Sequence, residues 1–133
     1  SITMAKNAKQ FEERPWGNFS VLSELSYEGN NRDVIIKRLE ILPGKRISYQ
    51  QHKLRHEHWF AISGSGFAII NDEKIELKAG ESVQINIGDK HRIDNRQGTE
   101  PLVIIEITTG EFDEYDNERL EDDFNRDSNW RNE

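Results

Sequence analysis

Residues 44–64 read GKRISYQQHKLRHEHWFAISG, and this stretch decides the fold. Glycine brackets it at both ends. Gln50 and His52 stand two residues apart, so in an extended strand their side chains leave one face, and Glu57, after a short turn, reaches them from the next strand. One amide oxygen, one imidazole and one carboxylate make a borderline-to-hard donor set suited to Zn²⁺, Mn²⁺, Fe²⁺, Co²⁺ or Ni²⁺. The same alternation gathers Arg46, Ser48, Gln50 and His52 on a single face. That face is too polar for a closed core and suits the mouth of a substrate-binding barrel. Glu57, Trp59 and Ala61 share the next inward face, which leaves His58 pointing outward and His56 in the turn, both as bystanders.

A second strand-and-turn unit spans residues 80–95, with Gly80, Gly88, His91 and Asn95 at fixed intervals and His91 as the fourth candidate ligand. Together the two stretches resemble the paired signature of the cupin superfamily, G-x5-H-x-H-x3,4-E-x6-G followed by G-x5-P-x-G-x2-H-x3-N. The spacing fits throughout. Two identities depart from it: Gln50 replaces the first histidine, and Asn86 stands where proline is usual, which alters only a turn. A Gln-His-Glu-His ligand set is similar to the one found in phosphomannose isomerases.

Working outward, the predicted architecture is an all-β cupin, a double-stranded β-helix or jelly-roll barrel. Short strands recur at intervals of roughly eight to twelve residues with turn residues between them. The expected organisation is an N-terminal arm over residues 1–13, a barrel over 14–126 and a tail over 127–133. Leu120 and Phe124 have the spacing of a short C-terminal helical turn packed on the barrel. Pro15 and Gly17 frame Trp16, read as a plug on the core. The adjacent carboxylates Glu121, Asp122 and Asp123 read as solvated.

Two charged residues sit on otherwise apolar strand faces. Lys37 shares a face with Leu39 and Ile41, and it either snorkels at the barrel rim or points into the cavity as a phosphate anchor or proton-transfer group. Glu106 shares a face with Leu102 and Ile104, and it is either a half-exposed charge or a cavity carboxylate with a raised pKa, as a general base needs.

The 133 residues suffice for one domain with a real core. A net charge of −7 argues against a nucleic-acid backbone or an anionic membrane as partner. With no cysteine, neither disulfides nor thiolate chemistry is available. No apolar run approaches membrane-span length and the N-terminus lacks a signal-peptide core, so a cytoplasmic location is expected.

The likeness narrows further at both ends of the barrel. Residues 14–17, Arg-Pro-Trp-Gly, and 119–126, Arg-Leu-Glu-Asp-Asp-Phe-Asn-Arg, resemble the start and close of type II phosphomannose isomerases, which also form the C-terminal domain of bifunctional enzymes carrying a mannose-1-phosphate guanylyltransferase. The resemblance implies interconversion of mannose 6-phosphate and fructose 6-phosphate through a cis-enediol. One divalent ion, Zn²⁺ as the leading expectation with Mn²⁺, Co²⁺, Mg²⁺ or Fe²⁺ as alternatives, would be held by Gln50, His52, Glu57 and His91. Glu106 and Lys37 are the candidate proton-transfer groups. Arg46, Lys90 and Arg92 are the candidate phosphate ligands, with Arg46 best placed and Arg55 and Lys37 also within reach. A homodimer is expected from the cupin likeness. A non-catalytic sugar-binding cupin, a metal-free sugar-nucleotide epimerase and an Fe²⁺ dioxygenase are the competing readings.

Overall fold

In the computed structural model, which describes residues 2–5, 10–27 and 32–126, nearly every regular element is a strand. In chain order these are β1 (Ile2–Ala5), β2 (Gln10–Arg14), β3 (Gly17–Tyr27), β4 (Arg32–Ile41), β5 (Tyr49–Gln51), β6 (Arg55–Ser63), β7 (Ser65–Ile70), β8 (Glu73–Lys78), β9 (Ser82–Ile85), β10 (Lys90–Asp94), β11 (Leu102–Gly110) and β12 (Glu118–Glu121). They form two antiparallel sheets. One runs β1-β3-β4-β11-β6-β9 with β2 added to β3, and the other runs β12-β5-β10-β7-β8. Strands distant in sequence are neighbours in both, as in a jelly roll.

The inward faces carry a gradient that creates the site. On β11 the inward residues are Leu102, Ile104, Glu106 and Thr108, and their partners on β4 run Ile41, Leu39, Lys37 and Ile35. Across the other edge of β11, Ile104 meets Ala61, Glu106 meets Trp59 and Thr108 meets Glu57 on β6. One end of the barrel is therefore apolar and closed, and the other becomes polar within two residues. Trp16, Phe19, Leu39, Ile41, Trp59, Leu77, Ile85, Ile93, Leu102 and Ile104 are among the residues that fill the closed end. Trp16 is completely buried there, as its flanking turn suggested.

Three expectations are corrected. Residues 1–13 do not form a loose arm among the described positions: Gln10–Arg14 forms a hairpin with the first half of β3, and Ile2–Ala5 pairs with its second half. The physical reason is that the eleven-residue β3 presents a long edge of backbone N–H and C=O groups, which both segments pair. Nor do Leu120 and Phe124 share a helical turn. The short helical turn is a 3₁₀ turn at Glu114–Asp116, and Leu120 lies on β12, which pairs with the edge of β5. Finally, the acidic run is not simply solvated. Asp123 binds Arg46, Glu121 approaches Arg92, and Asp122 binds Arg126 while accepting from the backbone N–H groups of Phe124 and Arg126.

The loop before β10 behaves as the Asn86 substitution suggested. The Asn86 N–H donates to Asp89 Oδ2 at 2.9 Å, the Asp89 N–H returns to the Asn86 carbonyl at 3.0 Å, and Gly88 takes the left-handed conformation that closes the turn.

Candidate functional site

His91 on β10 lies opposite Gln50 on β5, and His52 follows one residue beyond that strand. Glu57 comes from β6 in the facing sheet. Burial along β6 alternates strictly from Arg55, so Arg55, Glu57, Trp59 and Ala61 point inward while His58 is exposed as expected, and His56, expected in the turn, is exposed on the strand itself. Three chemically different donors from both sheets thus converge at the polar end. Their ligating atoms all lie within 4.8 Å of one another. Glu57 Oε2 is 2.9 Å from His52 Nε2 and 3.2 Å from His91 Nε2. Gln50 lines the same cavity, and its amide nitrogen donates to Ser48 Oγ at 3.2 Å.

The hydrogen bonds test whether a metal fits. His91 Nδ1 donates to the Asp89 carbonyl at 2.8 Å, so in the neutral ring Nε2 carries a lone pair. That nitrogen is buried without a hydrogen-bond partner and faces a carboxylate oxygen, one acceptor against another. A cation between them resolves the clash, and binding it at His52 Nε2 moves that ring's proton to Nδ1 at the expense of the Arg55 contact, after which the residues fit a divalent metal of the cupin type. With the histidines protonated and no cation bound, the same cluster is an ion-pair network. Burial pushes the Glu57 carboxyl up, but the neighbouring His91 and the hydrogen bond from His52 hold it well below its ordinary value. Burial lowers His52, whereas His91 is raised because the Glu57 charge and the Asp89 carbonyl outweigh its burial.

Around the cluster is a cavity of about 190 Å³ whose walls include Ile35, Lys37, Leu39, Ile47, Arg55, Glu106, Thr108 and Phe112. Glu106 is a cavity carboxylate and not a half-exposed one, at 8 % exposure. The Trp59 indole N–H is shared between Glu57 Oε1 at 3.0 Å and Glu106 Oε2 at 3.3 Å, and Thr108 Oγ1 donates to Glu106 Oε1 at 3.2 Å. Burial and the adjacent Glu57 charge push the Glu106 pKa up to about 8, against the pull of Lys37. Lys37 faces Glu106 across the β4–β11 ladder, lines the cavity and holds its ammonium 4.6 Å from the centre of the Phe19 ring.

The three expected phosphate ligands are not brought to this cavity. Arg46 lies outside regular strand, bridged to Asp94, and both guanidinium arms bind Asp123 at 2.7–2.8 Å. Because residues 46–48 are not a continuous strand, alternation from Gln50 back to Arg46 breaks, and Ile47 lines the cavity instead. Lys90 and Arg92 flank the inward-facing His91 and point to the other side of β10. Lys90 is exposed, and Arg92 donates to the Ile47 carbonyl and lies against the Tyr49 ring. The arginine that does reach the cavity is Arg55, two residues before Glu57. Its signal was the strict alternation it shares with Glu57. Phe112 is the wall beside it.

Comparison with known proteins matches this picture. A family described as mannose-6-phosphate isomerase C-terminal matches residues 3–122. Alginate biosynthesis protein AlgA of Pseudomonas aeruginosa is 37 % identical over 114 residues, and mannose-1-phosphate guanylyltransferase ManC of Salmonella typhimurium is 35 % identical over 114. In each case the match covers 85 % of this chain but spans only 22 % of the relative's length. Among solved structures, a cupin-superfamily sugar phosphate isomerase from Silicibacter pomeroyi superposes with a TM-score of 0.53 at 14 % identity over 59 % of each chain. The capsular polysaccharide assembling protein CapF of Staphylococcus aureus superposes with a TM-score of 0.67 at 23 % identity, covering 84 % of this chain and 34 % of that one. Those two likenesses speak for the cupin fold. The extent of the family match, on a barrel whose polar end gathers His52, Glu57 and His91, shows that the chain belongs to the mannose-6-phosphate isomerase C-terminal family.

Proposed function

We propose that this domain interconverts mannose 6-phosphate and fructose 6-phosphate, an aldose–ketose isomerisation through a cis-enediol, with one divalent ion on Gln50, His52, Glu57 and His91. The observation that carries the reading is one cavity holding a buried His–Glu–His cluster beside a second buried carboxyl of very different proton affinity. Family membership supplies the substrate class.

A divalent cation bound there supplies Lewis-acid polarisation of the sugar oxygens and offsets the Glu57 charge. A cation held there would weaken the Glu57 charge, one of the causes that raise Glu106 beside its burial, and so would favour the ionised, proton-accepting form of Glu106. Glu106 then takes the proton from C2 of the open-chain aldose and returns it to C1, staying on one face of the enediol. Trp59 and Thr108 keep the carboxylate aimed by occupying its two oxygens. Lys37, across the ladder, is placed to stabilise an enediol oxygen or to exchange the hydroxyl proton. Ile35, Leu39 and Ile47 leave the sugar carbons an apolar wall that limits water around the enediol.

The test is conversion of mannose 6-phosphate to fructose 6-phosphate by purified protein, before and after chelation, with Zn²⁺, Mn²⁺, Co²⁺ and Mg²⁺ added back separately. Loss on chelation, recovery with one ion and no recovery in His52→Ala are the expected results. No turnover with any ion, in folded protein that binds metal, rejects the isomerase reading.

A further inference from the structure

We infer that Arg55 is the phosphate anchor of the cavity, holding the non-reacting end of a sugar phosphate against the turn between β5 and β6. The inference rests on the proposed reading for the identity of the sugar, but the phosphate chemistry stands on Arg55 itself. Two cationic side chains line the cavity, Lys37 and Arg55, and their surroundings differ. Both cations pull the Glu106 carboxyl down, Lys37 more than Arg55, and Lys37 lies directly opposite it across the β4–β11 ladder. Arg55 forms no ion pair among the described residues. It is only 9 % exposed, its Nε is buried without a partner, and among the described residues the one hydrogen bond of its side chain runs from a terminal nitrogen to His52 Nδ1 at 3.1 Å. A buried guanidinium with an unused donor is costly unless something anionic completes it. Its planar fork matches phosphate oxygens two at a time.

The surroundings hold Arg55 ready. The Lys53 and Leu54 N–H groups donate to the two carboxylate oxygens of Asp116 at 2.9 and 3.0 Å, and the Glu111 N–H donates to the Leu54 carbonyl at 3.0 Å. Gly110 permits that close crossing, because a Cβ there would strike the Leu54 carbonyl and the Arg55 backbone. The Phe112 ring covers the guanidinium, with 5.4 Å from its central carbon to the ring centre. Arg55 is thus pinned at its backbone and stacked on one face, leaving its edge as the free recognition surface. Its contact with the outer nitrogen of His52 sets the anion one imidazole away from the metal cluster, which suits a substrate whose phosphate and carbonyl are at opposite ends.

The experiment compares wild type, Arg55→Met and Arg55→Lys, each loaded with the same divalent ion. Binding of inorganic phosphate and of fructose 6-phosphate is measured by calorimetry, metal content by elemental analysis and folding by near-ultraviolet circular dichroism. Arg55→Met is expected to bind both anions roughly 10- to 100-fold more weakly, with full metal content, and Arg55→Lys to recover part of the loss. Undiminished phosphate binding in Arg55→Met overturns the inference, and so does metal loss in both variants, which would make Arg55 a prop for His52. Should wild type bind fructose 6-phosphate through Arg55 yet fail to turn over mannose 6-phosphate, the isomerase reading falls and the anchor stands. Turnover that persists with unchanged KM in Arg55→Met leaves the isomerase and removes the anchor.

Discussion

Glu57 and Glu106 are buried carboxylates joined by one indole N–H, yet their surroundings drive them in opposite directions. Two imidazoles hold Glu57 ionised, while burial beside that same negative charge lifts Glu106 to about 8. At the residue scale this division predicts the pH profile. A base must be ionised, so kcat/KM is expected to rise with pH through the Glu106 ionisation and level off above it. Glu106→Gln preserves shape and removes the proton carrier. Turnover should fall by roughly 100- to 10,000-fold, the rising limb should flatten, and metal content should not change. A pH–rate series with elemental analysis checks this, and near-normal turnover in Glu106→Gln transfers the proton step to Lys37. Glu57 was legible in the sequence because its spacing is part of a motif. Glu106 was visible only as a charge in an apolar strand, and nothing local separates an exposed glutamate from a buried one.

The element that behaves least as its sequence suggests is the acidic segment after β11. Its carboxylates fasten it down: Asp122 binds Arg126 at 2.8 Å and caps two backbone N–H groups, and Asp123 binds Arg46. Burial pushes Asp122 up, but the hydrogen bonds from Arg126 and the backbone hold it below the ordinary 3.8. A carboxyl depressed in the folded state stabilises at pH values above its unfolded pKa, and that stability is lost as pH falls through the folded value. The turn at 122–126 is therefore expected to loosen below about pH 4 while the barrel persists. Hydrogen exchange at the Phe124 and Arg126 amides reports it. Asp122→Asn should weaken protection at neutral pH and remove most of the acid transition, whereas equal loosening of both proteins on acidification assigns the transition elsewhere. The helical spacing of Leu120 and Phe124 misled because β5 offered an unpaired edge. Backbone hydrogen bonds to that edge outweigh a two-residue hydrophobic pattern.

At the scale of the whole molecule, the cluster draws on the turn after β5, on β6 and on β10, from two sheets, so a bound ion would cross-link the barrel. Binding to the folded state alone raises stability with ion concentration, by about 4 kcal/mol at a thousandfold excess over Kd. That corresponds to a rise in melting temperature on the order of 10 °C for a domain of this size. Calorimetric melting of chelated and ion-loaded protein is expected to show the rise, and His52→Ala or His91→Ala to abolish it. An equal shift in those variants places the ion elsewhere.

The sequence alone carried the resemblance to the cupins and, through spacing along single strands, the convergence of His52, Glu57 and His91, the core role of Trp16 and the outward His58. Each depends on alternation within a few residues of a glycine-marked turn, and that information is local. Which cations face the cavity, whether Glu106 is buried, and what the acidic tail binds were decided only in three dimensions. A break in regular strand at residues 46–48 turned Arg46 outward to Asp123, alternation about His91 sent Arg92 to the far side, and pairing between β4 and β11 set Lys37 against Glu106. Those outcomes depend on contacts between segments far apart in the chain, and on burial, which no single strand reveals by itself.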